Sequence, residues 1–439
     1  MRSRPTPWCR WLIVLVVAAL IATACGTPQP LALSDEQLGA SSTRIRVGSS
    51  DPAALIVGVT EWELDHPTAR IEIDVRESDD LRRSVLDGND AASLDVIAVD
   101  PNVRTLIRTR PELFLDLDDY VSASQQQAYS EDLLRGGQSE DGSLRAIPVH
   151  LDSLAIAMRT DLVPEDVRSE VASAPNWCSV LTIADRFSGE TMIAFLGSGQ
   201  EVARASLVQS PAEFAVRSDG TLVAEDLESL QLAWDLAMLA LGEEPIHSDP
   251  CPNEDPIQRI SRNLTIGDTR WNTAAARDGF AGAVLTYGEL DGIAAAAPET
   301  AGLWEIVSVP GDAGARLDVS YLAVLATSEN VSLAADFVTS LTSPEFQRLT
   351  FSRGAPALPT ANDIYEDGTV AGTVDEFFGT DPVLPFADAA SRDIDGTPGS
   401  EREAVIEIAL EGIERVSNGN QAPLDAWASV LEEVRTTLG

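Results

Sequence analysis

Between residues 43 and 102 the hydrophobic period switches back and forth in a way few folds can satisfy. "TRIRVGSS" alternates apolar and polar residues and ends in small ones, the pattern of a strand running into a loop. "AALIVGVTEWELDHP" carries Leu55, Val59 and Trp62 at helical spacing, with Pro67 just past its end. "ARIEIDVRES" reads as a second strand and "DDLRRSVLDGND" as a short helix stopped by Gly88. "LDVIAVDPN" is a continuous apolar strand ending in a turn. Strand, helix, strand, helix, strand in this order requires right-handed crossovers and a parallel sheet. Open sheets of this kind place ligands in the loops at the carboxyl ends of their strands. Here those ends are "SSDP" (49–52) and "DPN" (100–102).

Further along, "LRAIPVHLDSLAIAMRTDLVPED" is expected to supply a strand, a loop and another strand. Helical patterns follow at 179–189, 201–209, 225–241 and 271–281. A second strand-and-helix set opens with "GAVLTYGEL" and "WEIVSVPG", and the chain closes on two amphipathic helices, "EREAVIEIALEGIERVSNG" and "LDAWASVLEEVRTTL". With 439 residues, 44% of them hydrophobic, the chain is long enough for two lobes with sizeable cores.

The amino terminus reads as an export signal. Arg2, Arg4 and Arg10 precede an apolar run from Trp11 to Ala22, shorter than the roughly 20 residues a spanning helix needs. Ala22, Thr23 and Ala24 before Cys25, with Gly26 after it, resemble the lipobox of bacterial lipoproteins, in which the cysteine becomes the lipid-bearing first mature residue. An ordinary cleaved signal and an uncleaved anchor are the competing readings. Residues 1–24 are then the signal peptide and 25–43 a Pro-punctuated tether that places the protein on the outer face of the cell membrane.

Formal net charge is −40, and all 30 basic residues are arginine. Such a surface repels nucleic acid and anionic lipid head groups, so neither is an expected partner; a well-solvated acidic surface, suited to high salt, accounts for it. Cys9 leaves with the signal and Cys25 takes the lipid. Cys178 and Cys251 remain, facing an oxidising compartment, and are expected to form one disulfide; two unpaired thiols are the alternative.

Several stretches, in order, resemble the extracellular solute-binding proteins of ABC importers, family 1, which includes sugar binders. "RIRVGSS" followed by "EWELDHPTARIEIDV" is similar to the family's opening strand, helix and second strand, and "LDVIAVDPN" to its strand entering the cleft. "LFLDLDDYV", "AIPVHLDSLAIAMRTDLV" and "PNWCSVLTIADRF" look like its later segments, and "VSYLAVLATSENVSLAADFVTSLTSPEFQRLTFSRGAPALPT" is the fullest match. The resemblance implies an α/β, two-lobed periplasmic-binding-protein-like fold of type II, each lobe a mainly parallel sheet flanked by helices, with a hinge between them. On this reading residues 44–148 and 308–350 form the N-terminal lobe, and 149–307 and 351–439 the C-terminal lobe. It further implies a monomeric receptor, without cofactor, that closes over a small solute, most readily a carbohydrate, and delivers it to the ABC permease subunits. A lipid-anchored sensor or interaction protein of the same fold, or a receptor for a non-sugar solute, is the alternative.

Ligand contacts are expected from Ser50, Asp51, Asp100 and Asn102 after the first and third strands, and from His150 and Asp152 where the crossover enters the cleft. Trp271, Tyr287, Glu289 and Tyr321 complete the expected set, together with Arg353 beside Gly354; Asp100 could instead cap a helix, Tyr321 pack in the core and Arg353 pair with a carboxylate. Aromatics are 5% of the chain, so sugar is implied by the resemblance and not by composition. Catalysis finds little support: there are three histidines, no HExxH, no G-x-S-x-G and no P-loop, and "GSGQEV" is a weak glycine loop that does not follow a strand in a Rossmann unit, which argues against dinucleotide binding. No metal site is expected.

Overall fold

The computed structural model describes residues 43–438 apart from 88–93, 100, 211, 213, 215–221, 248–249, 252–259, 262–263, 265–272, 275–278, 367–368, 371–374, 380 and 392–399. The signal, the tether, Cys25, Asp100 and Trp271, with most of the 271–281 helical pattern, therefore lie outside the described residues.

The opening alternation folds as its pattern requires. Strands β1 (Thr43–Ser49), β2 (Ala69–Val75) and β3 (Val96–Val99) are parallel, with helices Ala53–Asp65 and Ser78–Asp87 as crossovers. Helix Ala53–Asp65 buries Leu55 and Trp62, and the Trp62 ring meets Phe337 edge-on at 5.3 Å.

β4 (Ile147–Arg159) is one continuous strand, not the strand, loop and strand expected. Its register shifts between Pro148 and His150 and again between Asp152 and Ser153. The first half pairs antiparallel with β8 (Arg316–Val324) and β9 (Leu358–Pro359), the second half with β6 (Phe280–Thr286) and β7 (Trp304–Ser308). The polar residues that resemble a loop in sequence are thus the point at which one strand passes from one sheet to the other. The path runs β2-β1-β3-β8-β4-β6-β5, with β5 (Ala194–Leu196) parallel to β6.

This order corrects the expectation of mainly parallel sheets. Every pairing made by β4 and β8 is antiparallel. A short strand, β5, precedes the "GSGQEV" loop and leads into helix Gln200–Gln209. Three residues of strand are too few for a period to register.

Two buried clusters flank the sheets. Along β4 the side chains alternate between them: Ala155 and Ala157 enter one, Leu154, Ile156 and Met158 the other. Helices Trp177–Thr191, Ala224–Leu241 and Ser400–Ser417 supply the second cluster, close to the expected helical spans. Cys178 and Cys251 form a disulfide across 73 residues, as expected. Among the described residues no helix is long and apolar enough to cross a membrane.

Candidate functional site

The site grows from the carboxyl end of β6. All seven residues of this strand are buried, and its fit against β4 leaves no room at Gly282, where a Cβ would stand 2.8 Å from the Ala157 carbonyl oxygen. At Thr286 the sheet ends and the chain turns through a short 3-10 segment, Tyr287–Glu289. Carboxylates fix that turn. Glu289 Oε2 accepts the Thr286 N–H at 2.7 Å, and Asp152 Oδ1 accepts the N–H groups of Ser153 (2.9 Å) and Tyr287 (3.0 Å). Deeper in, Glu201 Oε2 accepts the Val284 N–H at 2.8 Å. The Arg204 guanidinium donates to the Val284 carbonyl and to Glu289 Oε2, at 3.3 and 3.4 Å.

The opposite wall comes from helix Pro344–Ser352, started by Ser343, whose hydroxyl accepts the Phe346 N–H at 3.3 Å. Gln347, almost wholly buried, ties this helix to the residue that follows β9: its Oε1 accepts the Thr360 N–H at 2.7 Å and its Nε2 donates to the Thr360 hydroxyl at 2.9 Å. Gly354, at φ +83°, turns the chain back beneath the helix, a conformation side chains other than glycine rarely adopt.

Between these walls lies a cavity of about 590 Å³ lined by Tyr287, Asp291, Phe351, Asp375, Glu376 and Phe378 among others. Tyr287 stacks with Phe351 at 6.2 Å and meets Phe386 edge-on at 5.8 Å. Burial first, then the charges of Asp291, Asp375 and Asp381, push its hydroxyl up to about 12, so it stays a neutral donor. Asp375 Oδ1 accepts the N–H groups of Phe377 and Phe378, at 2.8 and 3.0 Å, holding that loop in place. The described lining contains no basic side chain. Aromatic faces and carboxylates together suit a ligand rich in hydroxyl or amine donors.

Of the residues singled out in sequence, Tyr287 lines this cavity, while Asp152 and Glu289 hold the turn that presents it. Burial, with Glu289 nearby, raises Asp152 to about 6. His150 is half-buried on β4, its Nδ1 enclosed without a partner among the described residues, and burial lowers it to about 4. Ser50 and Asp51 are exposed at the end of β1, where Asp51 Oδ1 accepts the Ala53 N–H at 3.1 Å. Asn102 lies in helix Pro101–Thr109. For two residues the structure shows the second of the readings weighed, core packing for Tyr321 and carboxylate pairing for Arg353, and not a place in the cavity. Tyr321 is a core residue, 1% exposed, its hydroxyl donating to the Leu133 carbonyl at 2.9 Å. Arg353 pairs with Glu61 at 3.1 Å across the two neighbouring helices and does not line the cavity.

Sequence reading missed Asp291, Phe351, Asp375, Glu376 and Phe378. The "DEFF" at 375–378, two acids and two phenylalanines in a stretch bounded by glycine and proline, was the available signal. Among the described residues no group of three or more histidine, cysteine or acidic side chains could hold a metal ion.

No protein-family model matches the chain, and no curated protein matches it. Solved structures do. A crystal structure of an extracellular solute-binding protein family 1 member superposes with a TM-score of 0.73 at 22% identity, over 90% of this chain and 100% of that one. The GacH receptor of Streptomyces glaucescens, solved unliganded and with acarbose, gives 0.66 at 18% identity, over 90% and 98%. The sugar-binding protein MalE from Xanthomonas citri gives 0.67 at 17% identity, over 90% and 97%. The chain therefore has the two-lobed α/β fold of extracellular solute-binding proteins, as its sequence resemblance implied.

Proposed function

We propose that the protein is the solute receptor of an ABC importer, held on the outer face of the cell membrane through lipidated Cys25 and binding a small, donor-rich solute of the carbohydrate class. The 590 Å³ cavity beside the sheet-switching strand carries this reading, because it joins aromatic faces to convergent carboxylates where β4 links the two sheets. The fold likeness to the sugar-binding MalE and to the acarbose-binding GacH supports it.

The mechanism is a population shift. A solute that touches groups from both lobes only when they are closed stabilises the closed form by its extra contacts there. Tyr287 supplies a flat apolar face and a hydroxyl, and Asp375 and Asp291 accept hydroxyl protons from the solute. No step makes or breaks a covalent bond, and no cofactor is needed. The closed receptor then meets the permease subunits as a monomer.

A thermal-melt panel of sugars, polyols, amino acids and small cations tests this. A solute at 100 times its Kd adds about 2.7 kcal/mol of stability, which a melt resolves. A shift confined to one solute class supports the receptor reading. A panel without any shift would move the protein to the sensor class, with protein partners in place of a solute.

A further inference from the structure

Both walls of the 590 Å³ cavity are fastened to β4, on opposite sides of its second register shift, between Asp152 and Ser153. The Phe351 wall is held before the shift. Its Gln347 bonds Thr360, whose hydroxyl donates to the Pro148 carbonyl at 3.1 Å, and β9 pairs with β4 at His150 and Leu151. The Tyr287 wall is held after it. Leu154 pairs with Thr286, and the wholly buried Ser153 hydroxyl donates at 2.8 Å to the Phe386 carbonyl, in helix Val383–Ser391. Tyr287 and Val383 line the cavity from this side, Phe351 and Gly354 from the other.

One side chain reaches across the shift. The backbone of Asp152 stands in register with Asp318 of β8, in the sheet that also holds β9, yet its carboxylate accepts the N–H groups of Ser153 and Tyr287 beyond the shift. Bonds from N–H groups to an ionised carboxylate are about twice as strong as those between neutral groups, so the charge on Asp152 decides how firmly the Tyr287 turn is held against β4. Several charged or titratable groups surround it. His150 precedes it on β4, and the turn after β6 brings Glu289, to which Arg204 is bonded. β8 places Asp318 opposite it and Arg316 opposite Ser153, the Arg316 guanidinium donating to the Ala390 carbonyl at 2.9 Å. Helix Val383–Ser391 brings Asp388, bonded by the Ser308 hydroxyl, and the charges of Asp291, Asp375 and Asp381 act on the Tyr287 hydroxyl. Among the described residues no guanidinium is bonded to Asp152.

We propose that Asp152 is a positioning residue for solute binding: bridging the register shift, its carboxylate fixes the Tyr287 turn relative to the Phe351 helix and so sets the spacing of the two aromatic faces that meet the solute. The inference rests on the receptor reading and goes beyond it by making solute affinity depend on pH. Burial first, then Glu289, raises the Asp152 carboxyl to about 6, against hydrogen bonds from Ser153, Tyr287 and Thr286 that lower it. Above that value the charged carboxylate holds the turn. Below it the neutral carboxyl holds the turn less firmly, and the form competent to bind becomes a minority. Apparent Kd varies inversely with the competent fraction, so it rises about tenfold between pH 7 and pH 5, and binding in acid expels one proton. His150, lowered to about 4 by burial, stays neutral over most of that window.

Two measurements on the intact protein and on Asp152→Asn test this. The first needs no solute: hydrogen exchange at pH 7, read by mass spectrometry on peptides covering 284–290, should be about tenfold faster in the variant, while peptides covering 358–362 exchange alike in both. The second is titration calorimetry with maltose, glucose and galactose at pH 7 and pH 5, in buffers of different ionisation enthalpy. A sugar that binds the unmodified protein should lose about tenfold in affinity at pH 5 and release close to one proton there. In Asp152→Asn the same sugar should bind more weakly at pH 7, keep that affinity at pH 5 and release no proton. A melting curve checks that the variant folds, and the pH profile of the unmodified protein is a readout independent of it. Equal exchange over 284–290 in the two proteins overturns the proposal, as does an affinity that is the same at both pH values in the unmodified protein. A pH dependence that persists in Asp152→Asn belongs to the surrounding groups and overturns it too. If none of the three sugars binds, the wider solute panel decides the receptor reading, while the exchange rates still decide whether Asp152 holds the turn.

Discussion

His150 and Asp152 lie two residues apart on β4, and burial drives their proton affinities in opposite directions. Asp152 is raised to about 6, so between that value and its ordinary range near 4 the folded state binds more protons than the unfolded one, and stability from this group rises as pH falls. His150 is lowered to about 4, so below its ordinary value near 6.5 the unfolded state binds more protons, and stability from this group falls as pH falls. The two effects oppose each other between about pH 6 and pH 4. Asp152→Asn should make acid destabilisation over that window steeper, and His150→Gln should make it shallower, both read by denaturant melts at pH 7 and pH 5. At this scale the sequence was informative where a polar residue interrupts a buried strand, as with Asp152, and at the end of β6, as with Tyr287. It was uninformative about Tyr321, because a tyrosine at a strand end looks the same whether its hydroxyl meets a ligand or the Leu133 carbonyl. Glu201 stayed hidden because helical periodicity marks which face is buried but says nothing of a carboxyl on that face that accepts the Val284 N–H.

At the scale of elements, β4 organises the molecule, and its two register shifts carry the chain between sheets. Its neighbour β6 depends on Gly282. Gly282→Ala would press a methyl group against the Ala157 carbonyl and should destabilise the protein by about 1–3 kcal/mol, as overpacking of a rigid core does. Removing the Cys178–Cys251 bridge by a double serine substitution should cost about 2–5 kcal/mol in denaturant melts while leaving solute affinity unchanged, since neither cysteine lines the 590 Å³ cavity. The β1–β3 unit and the long helices were legible because each keeps one period over many residues. β4 was not, because its polar residues coincide with its register shifts, and neither was the three-residue β5.

The whole molecule carries a net charge of −40 with no lysine, and its self-repulsion weakens as salt is added. The melting temperature should therefore rise by several degrees between about 0.05 M and 1 M sodium chloride, and an unchanged melt would mean that the acidic surface is already balanced locally. The two-lobed architecture was readable from the order of degenerate motifs, since that order fixes topology. Which residues line the cavity was not, since the 351–356 and 375–383 stretches reach it from far along the chain and follow no period. The central claim is that a solute binds between Tyr287, Phe351 and the carboxylates of Asp291 and Asp375. The most direct test is calorimetric titration of the most stabilising solute from the panel into the unmodified protein and into Tyr287→Ala, side by side. The account predicts saturable one-to-one binding that weakens about tenfold in the variant, the equivalent of about 1.4 kcal/mol, with folding preserved. Binding of equal strength in both proteins would place the solute elsewhere and contradict the account.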